Sequence, residues 1–447
     1  MKYRSLFAVI IGVMVFSFSN SLRAAEQYTL EDLYRIALER AERIKISGED
    51  LVISEWGKDK AVSAFLPKIS AFGNYTRYTE KKDAATPVGS FPLQPSSSSA
   101  WGLRLDQSIS LGGQEFVNFS ISEKDIELKR SNFLAAKESY LLNVASAYYD
   151  VLKGVKSVEI AKANVERLTK YRDAANARLK AGEVTRTVIL RAEAELSGAQ
   201  ADLVRSENLL KFSTAVIARV AGISGEFEIR EKEASESRMN SEESESLESL
   251  KQRTFADRVE LKAGDMQKRI ASAQVRHAKG SFLPTVSLAG VYTKMDEDPS
   301  SSFVNKESAY GTLSINFPIF EGGLRRAEVR EAEARQRQAE LQFEDLKKSI
   351  DIEVESAYLD LRTQAETLKS LADQVKFATD NYNAVSKQFE YGLANSIDVM
   401  DANTLLVTSE RQLAEAKYNY QLAGLKLKRA TGTLLATVNT KQQAVHE

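Results

Sequence analysis

The chain of 447 residues contains no cysteine and only two histidines, His277 and His446. Without cysteine, it can form no disulfide, no thiolate metal site and no cysteine nucleophile. The two histidines are far apart in the sequence and form neither a metal motif nor part of a catalytic triad. The sequence also has no glycine-rich phosphate loop and no nucleophile elbow. These absences predict a protein that is not an enzyme and that binds no metal and no cofactor.

Proline and long apolar runs are also scarce. The chain has only seven prolines, and 28% of its residues are charged, a composition typical of long solvated helices. Beyond the N-terminal segment, no stretch approaches the ~20 apolar residues of a membrane-spanning helix. If the mature protein crosses a membrane, we therefore expect it to do so with strands.

The N-terminal segment has the pattern of a secretory signal peptide. Two basic residues precede the apolar run from Leu6 to Phe18, and Ala24-Ala25 stand before Glu26. We predict a signal peptide over residues 1–25, cut after Ala24 or Ala25; an uncleaved anchor is the alternative, but the run is short for one. The remaining chain has slightly more acidic than basic residues, which argues against nucleic-acid binding.

A coiled-coil pattern dominates the second half of the chain. From Val354 to Phe389, mostly apolar residues recur at alternating steps of three and four, a heptad seam in a helix predicted from about Gly322 to Tyr391. About 70 residues at ~1.5 Å each give a rod on the order of 100 Å. Since no globular core needs such a rod, we expect it to bridge a distance.

The sequence contains an internal duplication. Phe65-Leu66-Pro67 returns as Phe282-Leu283-Pro284, Gly112-Gly113 as Gly322-Gly323, and Gly182 as Gly392. Each copy reads as helix, strand, strand, long helix and helix. The predicted segments are a signal peptide at 1–25, a first repeat at 26–222, an acidic linker at 223–254, a second repeat at 255–432 and a short C-terminal tail at 433–447.

The strands alternate as membrane strands do. After a helix predicted over 29–63 and capped by Thr29, the predicted strands are 69–79, 100–111, 284–294 and 310–320, with a proline- and serine-rich loop between the first two. Apolar residues point one way and polar residues the other, as in outer-membrane barrels; a soluble hairpin with one buried face is the alternative.

Four strands cannot close a barrel, and an open edge cannot survive in lipid. Two copies would give eight strands with a filled interior, whereas three give twelve and leave a channel. We therefore predict a mostly α protein with transmembrane β structure, in which a homotrimer forms a 12-stranded barrel continued by a tandem-repeat long-helix tunnel.

Several of these motifs together resemble the TolC outer-membrane efflux family. They are the Phe-Leu-Pro before the strands, the Gly-Gly entering the long helix, Ser356-Ala357-Tyr358 within it, and the Tyr391-Gly392 turn followed by Asp398-Val399-Met400-Asp401-Ala402. The match runs in order through both repeats, over about residues 28–433. The resemblance implies a trimeric channel-tunnel in the outer membrane. It also implies docking through a periplasmic adaptor onto an inner-membrane efflux or ABC transporter, for multidrug efflux or type I secretion.

The resemblance also implies where the channel is gated. Asp398 and Asp401 match the family's aspartates at the periplasmic mouth, where six carboxylates in a trimer would repel each other and attract cations. Helix capping is the alternative role for these acids. The sequence departs from the family at Val188, the first-repeat equivalent of Asp398. It also departs at Ala394, where the family can place an arginine, and at Phe389, where it can place a tyrosine.

Further residues complete the predicted sites. We assign the gate turns to Gly182, Glu183, Arg186, Phe389 and Gly392, with Glu183 and Arg186 as candidate substitutes for the missing bonds. Trp101 and Tyr310 open two strands and are predicted to mark the membrane interface. We expect the mouth to open when adaptor helices bind the grooves between tunnel helices and the helix pair at 322–431 moves outward.

Two other functions are compatible with parts of this pattern. One is a non-conducting helical scaffold anchored in the outer membrane. The other is the adaptor itself, which would have one helical hairpin flanked by small β domains and so fits neither the duplication nor the strand pairs.

Overall fold

The computed structural model describes residues 26–443, except 81, 88, 232–244 and 301–304. The predicted signal peptide and residues 444–447 lie outside the described part. The helices are α1 (Leu30–Arg40), α2 (Glu42–Ser63), α3 (Gln114–Lys180), α4 (Arg186–Ala221), α5 (Leu247–Asp257), α6 (Val259–Gly280), α7 (Leu324–Glu390), α8 (Ser396–Ala430) and α9 (Leu434–Gln443). The strands are β1 (Glu26–Tyr28), β2 (Lys68–Arg77), β3 (Lys82–Thr86), β4 (Gly89–Gln94), β5 (Ser97–Ser110), β6 (Phe227–Ile229), β7 (Thr285–Asp298) and β8 (Glu307–Asn316). None of the helices in the described part has an apolar stretch long enough to cross a lipid bilayer.

Two helices of 67 residues, α3 and α7, determine the shape of the chain. At ~1.5 Å per residue each is a rod on the order of 100 Å. α3 packs along α4, α7 packs along α8, and α3 also lies against α8. We call α3 and α4 the first helix pair, and α7 and α8 the second helix pair. The two pairs lie side by side, joined along α3 and α8.

One four-stranded antiparallel sheet lies at the other end of the long helices from their closing turns. Its order is β2-β5-β7-β8, so β2 and β8 are its edges. Large apolar side chains on the outer strands are exposed, among them Ile69 at 71% and Leu313 at 70%. All four predicted strands are present, although β8 ends at Asn316 instead of residue 320. It ends early because Asn316 lies opposite the first residue of β7, so the residues beyond it have no partner strand in the described part of the chain.

The duplication is regular at the level of elements. α1, α2 and β2 recur 217 residues later as α5, α6 and the first part of β7, whereas α3 and α4 recur 210 residues later as α7 and α8. The two offsets differ because the connection between β2 and β5 is the longer one. That connection was predicted to be a loop, but it contains the β3–β4 hairpin.

The first helix is not continuous, contrary to the prediction over 29–63. Thr29 does cap it, in a capping box with Asp32, but Ala41 is extended at ψ 124 and separates α1 from α2. The bend lets α1 pack into the core, where Leu33 and Ala37 are 0% exposed. An equivalent break at Arg258 separates α5 from α6.

The segments predicted as linker and tail also contain ordered elements. β6 pairs in parallel with β1, and α5 begins at Leu247, so the second repeat starts before the predicted residue 255. The predicted tail forms α9, because Leu434 and Val438 are 1% and 6% exposed in the core. This core lies around the middle of α3 and includes residues of α1, α4, α8 and α9.

Candidate functional site

The two helix pairs close in turns of the same geometry. The first turn, residues 181–185, has Gly182 at φ 78, and the second turn, residues 391–395, has Gly392 at φ 79. A side chain would be strained in this left-handed region, so glycine is the residue that lets each long helix end sharply. The Glu183 amide donates to Arg178 O at 2.9 Å, and the Leu393 amide donates to Gln388 O at 2.7 Å. Both predicted turns are therefore present.

Arg178 links the two turns. It lies in the last turn of α3, and its Nη1 donates to Phe389 O, the backbone oxygen of the second helix pair, at 2.6 Å. Its Nε donates to Glu183 Oε2 at 3.0 Å, and its guanidinium lies 4.8 Å from the centre of the Phe389 ring. The side chain is only 20% exposed, so these charge-assisted bonds are partly shielded from water. Arg178 thereby holds the end of α7 against the first turn.

Phe389 fills an apolar contact between the helix pairs. It is 4% exposed, and its ring centre lies 5.1 Å from that of Tyr171 on α3. The rest of the cluster comes from α3, α4 and α8: Leu168, Ala192, Leu196, Ala199, Val399 and Met400. The Phe389 ring is thus held by packing and has no hydroxyl group to bond.

Two polar contacts join the pairs further along the helices. Arg167 on α3 forms an ion pair with Glu410 on α8 at 3.1 Å, with side chains 19% and 26% exposed. Asn403 Nδ2 on α8 donates to Asn164 Oδ1 on α3 at 2.9 Å. Together with the Arg178 and Phe389 contacts, we call these the inter-pair contacts. They lie on the interface along which the two pairs would have to separate.

Asp398 is part of a capping box at the start of α8. Its Oδ2 accepts from the Asn395 amide at 3.0 Å, and Asn395 Oδ1 accepts from the Asp398 amide at 3.1 Å. The capping role is therefore present, yet both Asp398 and Asp401 remain exposed. At a spacing of three residues they lie on the same helix face. Both side chains are therefore exposed on one face of α8.

Glu183 and Arg186, the two candidates for bonds that close the mouth, differ in their contacts. Glu183 does form a bond, with Arg178. Arg186 is exposed and makes no hydrogen bond or ion pair with any residue that the structure describes. Sequence reasoning missed Arg178, which is 211 residues from Phe389; its only signal was a basic residue in the last turn before Gly182. The arginine that links the two turns is thus in the first helix pair. Ala394, in the second turn, packs against the apolar cluster around Phe389.

The two predicted interface aromatics lie on opposite faces of the sheet. Trp101 is 54% exposed and lies on the apolar face of β5, with its ring centre 6.3 Å from that of Tyr292. Tyr310 lies on the face of β8 that carries Thr312 and Ser314, because side chains alternate along a strand. The assignment of both aromatics to a membrane interface stays a prediction.

Comparisons with known proteins agree with this architecture. Residues 59–222 and 250–433 match the family model described as "Outer membrane efflux protein". The chain is 24% identical to the outer membrane protein TolC of Escherichia coli, over 96% of this chain and 87% of TolC. It is 23% identical to the outer membrane efflux protein BepC of Brucella suis, over 88% of this chain and 81% of BepC.

A solved structure shows the same fold. The outer membrane protein VceC of Vibrio cholerae superposes with a TM-score of 0.74 at 17% identity, over 90% of this chain and 96% of VceC. The family model covers most of the chain, in both repeats. The proteins it describes are outer-membrane efflux channels, not enzymes. This chain therefore belongs to the outer membrane efflux protein family.

Proposed function

We propose that three copies of this chain form a passive exit duct through the outer membrane, continued by a helical tunnel in the periplasm. One observation carries the proposal. Each chain has two helices of 67 residues that continue from a sheet whose outer edges, on β2 and β8, have no partner strand among the described residues. Unpaired edges are not tolerated in lipid, so neighbouring copies must complete the sheet. Three copies supply twelve strands, enough for an open channel.

We place the gate at the two turns, where the inter-pair contacts hold the tunnel mouth closed. Opening requires the second helix pair to move away from α3, which breaks the Arg178, Arg167 and Asn164 bonds. Partly exposed bonds of this kind are worth roughly 1 kcal/mol each. A partner that binds the open arrangement with a few kcal/mol of preference is enough to shift the equilibrium.

The partners we propose are a periplasmic adaptor and an inner-membrane efflux or ABC transporter. The chain supplies no energy source of its own, since its sequence has no nucleotide-binding loop. The adaptor helices would bind the grooves between tunnel helices and stabilise the open mouth. The pump, and not the duct, would then select the substrate.

Asp398 and Asp401 are proposed to form a ring of six carboxylates at the mouth. Such a ring attracts cations and slows multivalent ones. In planar bilayers, the double variant Asp398→Asn, Asp401→Asn should show weaker cation selectivity and weaker block by multivalent cations. Glu123→Gln, which changes an exposed carboxylate of α3 outside the inter-pair contacts, serves as the matched control. Unchanged selectivity and block in the double variant would remove these residues from the pore.

The function itself is tested by reconstituting the purified protein in a planar bilayer. A duct gives discrete current steps, and its detergent-solubilised particle has the mass of three chains. The alternative, a non-conducting scaffold anchored in the outer membrane, inserts without current. Protein that is present in the bilayer but carries no current in any variant would reject the duct.

A further inference from the structure

We propose that β8 of one copy pairs with β2 of the next copy in one defined register, with Ser314 opposite Asn74 and residue 320 opposite Lys68. This inference rests on the proposed trimer, but it makes a separate claim about which residues meet. It follows from the hydrogen-bonding directions of the two free edges and from the duplication.

The two edges present their backbone groups at odd-numbered residues. The Tyr78 amide donates to Ser96 O at 2.9 Å, in line with the β2–β5 ladder, so even-numbered residues of β2 bond inward. The Met295 amide donates to Lys306 O at 2.9 Å, so even-numbered residues of β8 also bond inward, to β7. Directions alternate along an antiparallel strand. Outward-pointing amides and carbonyls therefore fall at odd residues on both edges, and the edges are complementary.

The duplication selects the register. Lys68 pairs with Asp106 in the first hairpin, and their equivalents Thr285 and Asn316 pair in the second. The two hairpins thus share one register. In a ring of three chains the repeats alternate, so each contact between chains is equivalent to the contact between β5 and β7 within a chain.

Applying the β5–β7 register to the equivalent strands, β8 of one copy and β2 of the next, gives the residue pairs between chains. Arg104 lies opposite Val291 within the chain, and the equivalent positions are Ser314 and Asn74. The turn into the long helix fixes the same spacing, because the Leu111 amide donates to Pro284 O at 2.9 Å. Its equivalents are residue 321 and Pro67, which follow and precede the paired strands in the same way.

The side chains of this register match by face. Ser314 meets Asn74 on the polar face, Leu313 meets Tyr75 on the apolar face, and all four are exposed in the single chain. A shift by one residue would put apolar side chains on the polar face. Pro318, which has no amide hydrogen, falls at an even position, where its nitrogen does not face the next copy.

The long helices carry a second, independent sign of the same contact. Within the chain, α3 lies against α8. Their equivalents by the duplication are α7 and α4, so the arrangement that pairs β8 with β2 of the next copy also places α7 against α4 of that copy. Large apolar residues are exposed on these two faces: Phe377 at 67% on α7, and Leu209 at 57% and Phe212 at 68% on α4. Phe377 is the equivalent of Arg167, which makes an inter-pair contact.

The β5–β7 contact within a chain and the proposed β8–β2 contact between chains differ at one position. A Cβ added to Gly102 would lie 2.0 Å from Tyr292 O, so the backbones approach closely there. Its equivalent in β8 is Thr312, which has a Cβ. We therefore expect a wider spacing at Thr312, and probes of the register belong at Ser314.

Cysteine crosslinking tests the register, because the chain has no other thiol. Ser314 and Asn74 form a pair without backbone hydrogen bonds, with Cα atoms about 4.5 Å apart, within disulfide range. Oxidising Ser314→Cys, Asn74→Cys protein in outer membranes should give covalent trimers on denaturing gels. The matched controls are Ser314→Cys with Phe72→Cys and Ser314→Cys with Thr76→Cys, which place the thiols diagonally at roughly 7 Å. Their yield of crosslinked chains should be at least several-fold lower.

The outcomes separate this inference from the proposed function. If a control pair crosslinks best, or if no pair crosslinks although the protein is trimeric and conducts, the register is wrong and the duct stands. If no pair crosslinks and the particle is monomeric, both the register and the proposed ring are rejected.

Discussion

Arg178 is the residue on which the closed state of the turns depends most directly. Arg178→Ala removes the bonds to Phe389 O and Glu183 and leaves Phe389 with packing alone. We expect single channels of this variant to be open for a larger fraction of time than wild-type channels. The loss of these bonds in each chain should raise the open fraction several-fold. The matched control is Arg186→Ala, an arginine in the first turn of α4 without a bond in the described chain, which should behave as wild type. Equal open fractions in Arg178→Ala and wild type would show that the link does not hold the mouth.

The residues of the gate differ in how far sequence could predict them. The capping role of Asp398 follows from local spacing, since Asn395 precedes it by three residues, and the structure confirms it. Gly182 and Gly392 are equally local, because a turn between two helices requires a residue that accepts positive φ. Arg178 was missed because its bond to Phe389 depends on how two helix pairs pack, which a single-chain pattern does not encode.

At the scale of elements, one buried carboxyl group lies between α3 and α9. Glu138 on α3 is 3% exposed, its Oε1 accepts from the Leu435 amide at 3.4 Å, and its Oε2 has no hydrogen-bond partner among the described residues. Desolvation raises the pKa of Glu138 from 4.5 to about 7. A raised carboxyl pKa stabilises the fold when the group is protonated, and this contribution is lost as the pH rises from about 4.5 through about 7.

Glu138→Gln should therefore remove a pH dependence. The neutral amide avoids the cost of a buried charge, which at pH 8 is about 3 kcal/mol from a shift of this size. We expect the variant to unfold at a higher temperature than wild type at pH 8 and at nearly the same temperature at pH 5. Glu123→Gln, an exposed residue of the same helix, should change stability by less than about 1 kcal/mol. Parallel pH profiles for Glu138→Gln and wild type would contradict this assignment.

Long elements were predictable and short ones were not. The heptad seam and the repeated glycines located α3, α4, α7 and α8 because both signals are local and extend over many residues. The break at Arg258 depends instead on tertiary contacts. Its side chain is 2% exposed, donates to Ala430 O and forms an ion pair with Glu353 at 2.7 Å. The β3–β4 hairpin and α9 were missed for the same reason, since neither has a strong pattern of its own.

At the scale of the whole molecule, the proposed trimer makes each chain one third of the tunnel. Its duplication provides two similar hairpins and two similar helix pairs, and the apolar residues Leu209, Phe212 and Phe377 are exposed on α4 and α7. The sequence alone leads to this proposal, because open strand edges are not tolerated in lipid and no globular core needs a helix on the order of 100 Å long. The contacts between the two helix pairs, which decide whether the tunnel opens, required the structure.

Crosslinking the two helix pairs and recording single-channel current tests the gating claim most directly. We would place cysteines at Asn164 and Asn403, whose side chains meet between the pairs, in the Arg178→Ala background, and join them with a short reducible bis-thiol reagent. The crosslinked protein should stay at its lowest conductance, and a reductant should restore the open steps, while each single-cysteine variant should respond to neither reagent. Open steps of the same size and frequency before and after reduction would show that the mouth opens without separation of the helix pairs.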